Sequence, residues 1–317
     1  MQCEKCNGKA VITLQHGSLC KPHFITYFEE KVFKTINKFR LIDRKDKICI
    51  AASGGKDSLT VLYLTKKYLD HYHIPSEHLF ALCVDEGIAN YRQHTIIDLQ
   101  EFCKEHKIPL KVITSQEEFG APLDEAYPKI NKDTKKKPCN VCGVFRRYIL
   151  NKYARQEGAT KVITGHNLDD EAQAIMMNMF KANTTLAGRL GPISGIHEQD
   201  GFVQRVKPLY KCTEKEVRLY TLLKGFKIDY TECPYSQLGF RHKVQVMLND
   251  FEKDFRGTKQ GIIKSYLAML PLLKQHDQQT NDSIKSCKTC QEPSNKEICN
   301  ACEMKEVLAQ WDMTDKN

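Results

Sequence analysis

Lys47-Ile48-Cys49-Ile50-Ala51-Ala52-Ser53-Gly54-Gly55-Lys56-Asp57-Ser58 is the stretch on which the fold turns. Its apolar first half reads as a short buried strand. Ser53–Gly55 reads as a glycine turn, and the apolar-periodic Leu59–Asp70 as the helix that the turn opens. A helix N-terminus presents free amides and the positive end of the helix dipole, which together bind phosphate. Gly54 and Gly55 let the backbone approach an oxyanion closely, and Ser53 and Ser58 add hydroxyl donors. The spacing differs from the ordinary P-loop, which needs four residues between its glycines and then Lys-Ser/Thr. A nucleotide-binding loop at the end of a buried strand is the expectation.

The pattern continues outward from this loop. Leu79–Val84, Leu110–Thr114, Lys161–Thr164 and Lys227–Tyr230 read as further strands, and His94–His106, Gly143–Glu157 and Thr213–Gly225 as helices between and after them. Strands alternating with helices imply right-handed crossovers and an α/β fold with a doubly wound parallel sheet. Thr164-Gly165-His166-Asn167-Leu168-Asp169-Asp170-Glu171 stands at the end of the strand expected over Lys161–Thr164. Parallel sheets bind ligands beyond the carboxyl ends of their strands, so this run is expected to meet the first loop. Gly165 there allows close approach to a nucleotide, and Asp170 suits a metal or substrate activation. Asp85, before Glu86-Gly87, either lines the same pocket or forms a turn.

With 317 residues, 41% of them hydrophobic and 27% charged, the chain can bury a core. Lys+Arg 48 against Asp+Glu 39 gives +9, which suits a polyanionic partner without establishing one. No apolar run reaches the roughly eighteen residues of a membrane span, so no membrane partner is expected. The polar start Met1–Cys6 does not read as a secretory signal, and a cytoplasmic location is expected.

The 14 cysteines are clustered. Cys3-x-x-Cys6 and Cys20-x-x-His23 bracket a small hairpin over Ala10–Leu14, and Cys287-x-x-Cys290 and Cys299-x-x-Cys302 form a tighter ribbon. Both spacings suit a tetrahedral structural zinc, with a redox pair as the alternative. Phe24–Leu41 reads as an amphipathic helix, and polar Gln275–Ser286 as a linker. The expected organisation is an N-terminal zinc finger (1–28), a linking helix (29–45), a nucleotide-binding domain (46–240), a helical segment (241–284), and a zinc ribbon with its tail (285–317). Cys139 and Cys142 precede a helix, and Cys233-Pro234 follows the last expected strand. Three readings stay open for this trio: zinc with His166 or His242 as fourth ligand, a redox pair, or an iron–sulfur cluster on three thiolates with one iron open.

Ser53–Ser58 resembles the loop of the PP-loop ATPases, which cleave ATP between its α- and β-phosphates. The resemblance implies a pyrophosphate cradle over Ala52, Ser53, Gly54, Gly55, Lys56, Asp57 and Ser58. Asp57 then helps to hold Mg2+ or the reacting phosphates, the backbone around Val84 meets adenine, and Gly165 and Asp170 complete the site. The motifs in order (both zinc modules, SGGKDS, PCNVCG, TGHNLDDEAQ and the late Cys-Pro) resemble the two-zinc-finger tRNA 2-thiouridine synthetases over nearly the whole chain.

That resemblance implies two zinc ions and a [4Fe-4S] cluster on Cys139, Cys142 and Cys233. It also implies adenylation of uracil O2 with loss of pyrophosphate, then sulfur transfer from a cluster-bound hydrosulfide to C2. Sulfide or a ubiquitin-like thiocarboxylate carrier protein supplies the sulfur, and the enzyme is a homodimer. Persulfide chemistry on the same cysteines is the alternative. The string Cys142-Gly-Val-Phe-Arg146-Arg147 and a composition unlike that of a hyperthermophile point to the wobble uridine rather than the T-loop uridine. Lys132, Lys135, Lys136 and Lys137 before Cys139 are either phosphate contacts or plain solvated surface. A PP-loop amidotransferase or lysidine-type synthetase leaves the trio without a task. A zinc-module RNA-binding protein leaves SGGKDS and Asp170 without one.

Overall fold

The computed structural model describes all residues except 15–16, 195–200, 237–238, 281–284 and 315–317. Strands β1 (Ile12–Leu14) and β2 (Gly17–Leu19) form an antiparallel hairpin, and α1 (Lys21–Phe39) starts immediately after Cys20. Pro22 sits in its first turn, where a missing N–H costs nothing. The helix therefore begins three residues earlier than its periodicity suggests. A boundary at residue 28 falls inside one continuous helix, with His23 on its first turn.

The central run is β3 (Ile48–Ala51), α2 (Lys56–His71), β4 (Leu79–Asp85), α3 (Gln93–Glu105), β5 (Leu110–Thr114), α4 (Ser115–Phe119), α5 (Leu123–Thr134), α6 (Pro138–Gln156), β6 (Lys161–Ile163), α7 (Leu168–Phe180) and α8 (Thr184–Gly188). It continues through β7 (Ile193–Ser194), β8 (Gln204–Val206) and α9 (Glu214–Lys224). Helices α10 (Phe240–Asp254) and α11 (Thr258–Thr280), the small strands β9 (Lys285–Ser286) and β10 (Pro293–Ser294), and α12 (Asn300–Thr314) complete the described chain.

The sheet has the order β5-β4-β3-β6-β8-β7, parallel throughout except for the antiparallel edge strand β7. Strand alternation distributes the core. Ile48 and Ile50 join one apolar cluster with residues of α1, α2, α3 and α9, whereas Cys49 faces a second cluster built from α5, α6 and α12. Helices thus cover both faces, as in a doubly wound sheet. A third cluster, including Ala172, Ile175, Val244, Leu248, Ile263 and Tyr266, packs α10 and α11 on α7. From β3 the chain steps out through β4 to β5, then returns to the other side of β3 with β6. The loops after β3 and β6 therefore flank the switch in strand order, where such sheets bind ligands.

Two expectations are corrected. Lys227–Tyr230 is not a strand; Ile228 packs on the first core from irregular backbone. The sheet is extended instead by β8, whose Gln204-Arg205-Val206 is too polar to show the pattern and pairs with Lys161–Ile163. The expected linker over Gln275–Ser286 is helical as far as Thr280 and includes β9 at its end, while 281–284 lie outside the described residues.

Candidate active site

The first loop leaves β3 and caps α2 with Gly55, whose backbone is extended. Gly54 has φ +78°, and a Cβ on it would lie 2.5 Å from the Thr95 carbonyl oxygen at the start of α3. Only glycine fits there on both counts. The Ser58 hydroxyl donates to the Gly55 carbonyl (2.9 Å), and the Ser53 hydroxyl donates to Ser58 Oγ (3.2 Å), so the two serines brace the turn. Lys56 Nζ binds Asp57 Oδ2 (2.6 Å) and lies 3.2 Å from Glu214.

The second loop closes against the first. At Gly165 a Cβ would stand 2.9 Å from the carbonyl carbon of Asp57 and 3.0 Å from the amide nitrogen of Ser58. The close approach expected of this glycine is therefore made to the phosphate loop itself. Asn167 caps α7: its side-chain oxygen accepts the N–H groups of Asp169 (2.9 Å) and Asp170 (3.1 Å), and Asp170 returns a carboxylate to the Asn167 N–H (3.1 Å). The other end of the Asn167 amide donates to Asp57 Oδ1 at 2.9 Å, joining the two motifs by a single side chain. Burial raises the Asp57 carboxyl above its ordinary value, against the pull of Lys56 and Asn167, and the nearby Asp170 carboxylate adds to the rise. Two carboxylates that feel one another beside a phosphate loop suit a Mg2+ ion shared with phosphates. Arg241 of α10 holds Asp170 Oδ1 (2.8 Å) and Gln173 (2.8 Å), so the helical segment reaches the site. Asp169 does structural work, bound to Lys259 and to the Glu214 N–H at 2.8 Å.

A small concavity adjoins the loop, lined by Ala52, Ser53, Val84, Glu86, Arg92 and Arg146 among others. Ala52 and Val84 were expected here. Asp85 is the turn former: its carboxylate accepts the Gly87 N–H at 2.9 Å. Glu86 and Arg92 carry no motif that singles them out, yet both are buried and paired (2.6 and 2.9 Å), and Arg92 also donates to the Ser53 carbonyl at 2.8 Å.

The cysteine trio lies near this lining: the charges of Glu86, Arg146 and Arg92 act on Cys142, and those of Glu86 and Arg92 on Cys233. Cys139 and Cys142 occupy the first turns of α6, at the positive end of its dipole, which favours thiolates. Cys139 is exposed and reaches the Tyr235 carbonyl at 3.5 Å, two residues beyond Cys233. Cys142 and Cys233 are half-buried; burial first, then Glu86 and Cys233, push Cys142 up to about 11, and burial first, then Cys139 and Glu86, raise Cys233. The three thiols feel one another, but among the described residues they do not form a set with all ligand atoms within 4.8 Å.

Neither His166 nor His242 joins them in such a set. A single zinc holds sulfur at about 2.3 Å and so needs its thiolates within about 4 Å of each other. The wider spacing fits a group that gives each thiolate its own iron. His166 is instead engaged with Thr164 Oγ1 (2.8 Å). Its ring is open to the crevice, yet crowding by protein atoms together with Lys207, Arg241, Arg146 and Arg205 pushes its pKa down to about 3.

Two other ligand sets do converge: Cys3, Cys6, Cys20 and His23, and Cys287, Cys290, Cys299 and Cys302, each within 4.8 Å. Both are prepared for thiolates. Backbone N–H groups point at Cys3, Cys6, Cys287 and Cys299 Sγ from 3.3–3.4 Å. At Cys287, desolvation opposes the charge, but the amides of Cys299, Cys290 and Thr289 bring the thiol down to about 6. Each set fits one tetrahedral zinc.

The geometry agrees with known proteins. A PP-loop domain model matches residues 25–236. The tRNA-5-methyluridine(54) 2-sulfurtransferase of Pyrococcus horikoshii is 34% identical over 100% of this chain and 98% of its own length. Cytoplasmic tRNA 2-thiolation protein 1 of Danio rerio is 33% identical over 97% and 88%. Among solved structures, the U34-tRNA thiolase NcsA from Methanococcus maripaludis with its [4Fe-4S] cluster superposes with a TM-score of 0.79 at 33% identity, covering 97% of this chain and 96% of that one. A phosphate loop at the switch point, a thiol trio nearby and full-length similarity to these proteins place the chain in the PP-loop family, in the group of the tRNA 2-thiolation proteins.

Proposed function

We propose that this protein is an ATP-dependent tRNA 2-sulfurtransferase acting on the wobble uridine. The observation that carries the reading is the single crevice. Ser53 of the phosphate loop and Arg146 of α6 line it from two sides; Asn167 ties Asp57 to the Asp170 loop beyond Ser53, and Cys142 and Cys233 stand close enough to feel Glu86 and Arg92 of the same lining.

The chemistry needs both sides. A uracil C2 carbonyl is a poor electrophile because oxide leaves badly. Attack by O2 on the α-phosphorus expels pyrophosphate onto the loop amides and Lys56, and turns the oxygen into part of an AMP leaving group. Asp57 and Asp170 hold Mg2+ against the phosphates, and Arg146 faces the same space. Cys139, Cys142 and Cys233 would hold a [4Fe-4S] cluster, which when bound would supply the sulfide that replaces the adenylated oxygen at C2 as AMP leaves. Sulfide or a thiocarboxylate carrier replenishes it. The two outer cysteine sets hold zinc and brace the ends of the chain.

The string Cys142-Gly-Val-Phe-Arg146-Arg147 is the ground for preferring the wobble position; overall similarity does not choose, since a U54 sulfurtransferase at 34% and a U34 thiolase at 33% identity both match nearly the whole chain. The base must be unstacked to reach the crevice, as anticodon bases are. Among the described residues no helix is long and apolar enough to cross a membrane; the proposed site of action is the cytoplasm.

The test is thiolation, with sulfide and ATP under anaerobic conditions, of three transcripts: an intact tRNA, one with U34 replaced by C, and one with U54 replaced by C. Sulfur is located by mass spectrometry of nuclease fragments. Loss of product only with the U34 replacement is expected. Loss only with the U54 replacement reassigns the base, and product from a non-cleavable α,β-methylene ATP analogue overturns adenylation.

A further inference from the structure

We propose that Glu86 and Arg92 are positioning residues for the nucleotide: Glu86 holds Arg92 so that its remaining nitrogen fixes the Ser53–Gly54 peptide in the orientation that binds phosphate. This rests on the nucleotide-binding reading above and adds to it the element that presets the loop. Arg92 Nε and Nη2 donate to the two oxygens of Glu86 (2.6 and 2.9 Å), leaving Nη1 to donate to the Ser53 carbonyl at 2.8 Å.

A peptide unit is planar and trans, so anchoring its carbonyl sends the Gly54 N–H to the opposite side. Gly54, at φ +78°, leaves both orientations sterically open: the observed one, which favours glycine, and the flipped one at negative φ. The anchor therefore selects between two allowed orientations, of which one offers a donor and the other an acceptor at the same place. A carbonyl turned toward phosphate would repel it.

The pair is built to stay in place. Glu86 is 2% and Arg92 6% exposed. The Glu86 carbonyl is held by the Ser115 hydroxyl (2.7 Å) and the Leu123 N–H (2.8 Å), and Gly87 packs against Pro122. Charge is the second consideration. A buried carboxylate in the wall of a phosphate pocket would oppose an anionic ligand. Arg92 cancels it, and Arg146, 3.4 Å from Glu86 on the open side, leaves the group one positive charge in excess. The same carboxylate thus touches an arginine that sets the phosphate loop and one on the cysteine-bearing helix.

Arg92→Lys and Glu86→Gln test this with inorganic pyrophosphate and with Mg–ATP as probes, by calorimetric titration of protein whose fold is checked by circular dichroism and melting. Lysine keeps the charge opposite Glu86 but cannot fork, so a purely structural ion pair would tolerate it. The expectation for Arg92→Lys is a native melt, with pyrophosphate and ATP affinities each about tenfold weaker, which is about 1.4 kcal/mol. KM for ATP rises while turnover at saturating ATP stays near wild type. Unchanged affinity and KM in folded Arg92→Lys overturn the proposal, whatever Glu86→Gln does to stability. If the unaltered protein binds neither probe, the nucleotide reading itself fails, an outcome distinct from the first.

Discussion

Gly165 is the residue at which the two loops come closest, and one methyl group there measures how much their contact matters. The atoms it would meet are backbone atoms of Asp57 and Ser58 at 2.9–3.0 Å, which cannot swing aside as a side chain would. Gly165→Ala is expected to push the phosphate loop out of register, weakening ATP binding about tenfold in calorimetry while the melting point moves little. Asp57→Ala is expected to stop thiolation yet leave tRNA affinity near wild type in filter binding, because the carboxylate faces phosphate and metal. A matching loss of tRNA affinity would assign Asp57 to the RNA instead. The loop residues, Gly165 and Asp170 were legible because glycines and acids at a strand-to-helix junction have local meaning. Asn167, Glu86 and Arg92 were not. Asn167 looks like any helix cap until its free amide is seen on Asp57, and Arg92 acquires its role only when β4 and α3 carry it to a carbonyl 39 residues earlier.

At the scale of elements, α12 shows how the C-terminal module is fastened. Glu118 of α4, 4% exposed, receives Lys152 of α6 (2.8 Å) and Lys305 of α12 (2.7 Å). Burial would raise its carboxyl, but the two ammonium groups hold it below the ordinary value. A depressed folded-state pKa contributes stability that is fully present above the unfolded value of about 4.3 and is lost as pH falls through the folded one. Glu118→Gln is expected to cost about 2 kcal/mol near pH 7 in urea unfolding, and its stability should fall less steeply than wild type's as pH drops below about 4.3. Parallel slopes would remove Glu118 from the account. Cys299→Ser is expected to leave one zinc per chain by metal analysis and to expose α12 to protease, since binding free energy here is folding free energy. Retention of both metals would show that the ribbon is not a zinc site. Helix and strand periods revealed most of the sheet, but not β7 and β8. These are two and three residues long and polar, and they exist because β6 offers an open edge. Conversely, Ile228 and Tyr230 alternate like a strand, yet 227–230 pair with no strand among the described residues.

The whole molecule divides labour across its crevice, and that division can be tested by separating grip from chemistry. Cys139, Cys142 and Cys233 were legible as a trio because CxxC and Cys-Pro are local signals. That Cys233 comes up to them without the three closing around one ion is a fact of tertiary placement. The lysines leading into α6 stand just before Cys139: Lys132, Lys135 and Lys137 are exposed, and Lys136 is half-buried with its carbonyl held by Asn131 at 2.9 Å. On a chain of net charge +9 they are the proposed contacts to the RNA backbone, with plain solvated surface as the alternative. Replacing Lys135, Lys136 and Lys137 together by Ala removes up to three phosphate contacts. At roughly 0.7 per contact for a single strand, the slope of log affinity against log salt is expected to shrink by up to about two. Turnover at saturating tRNA is expected to survive, because these side chains bind ground and transition states alike. Cys233→Ala is expected to invert the pattern, with tRNA and ATP affinity and salt slope unchanged, iron content lost and thiolation stopped. An unchanged slope in the triple variant makes the lysines plain solvated surface. Thiolation at the normal rate by Cys233→Ala reduces the trio to a Cys139–Cys142 pair, and redox chemistry then replaces the cluster.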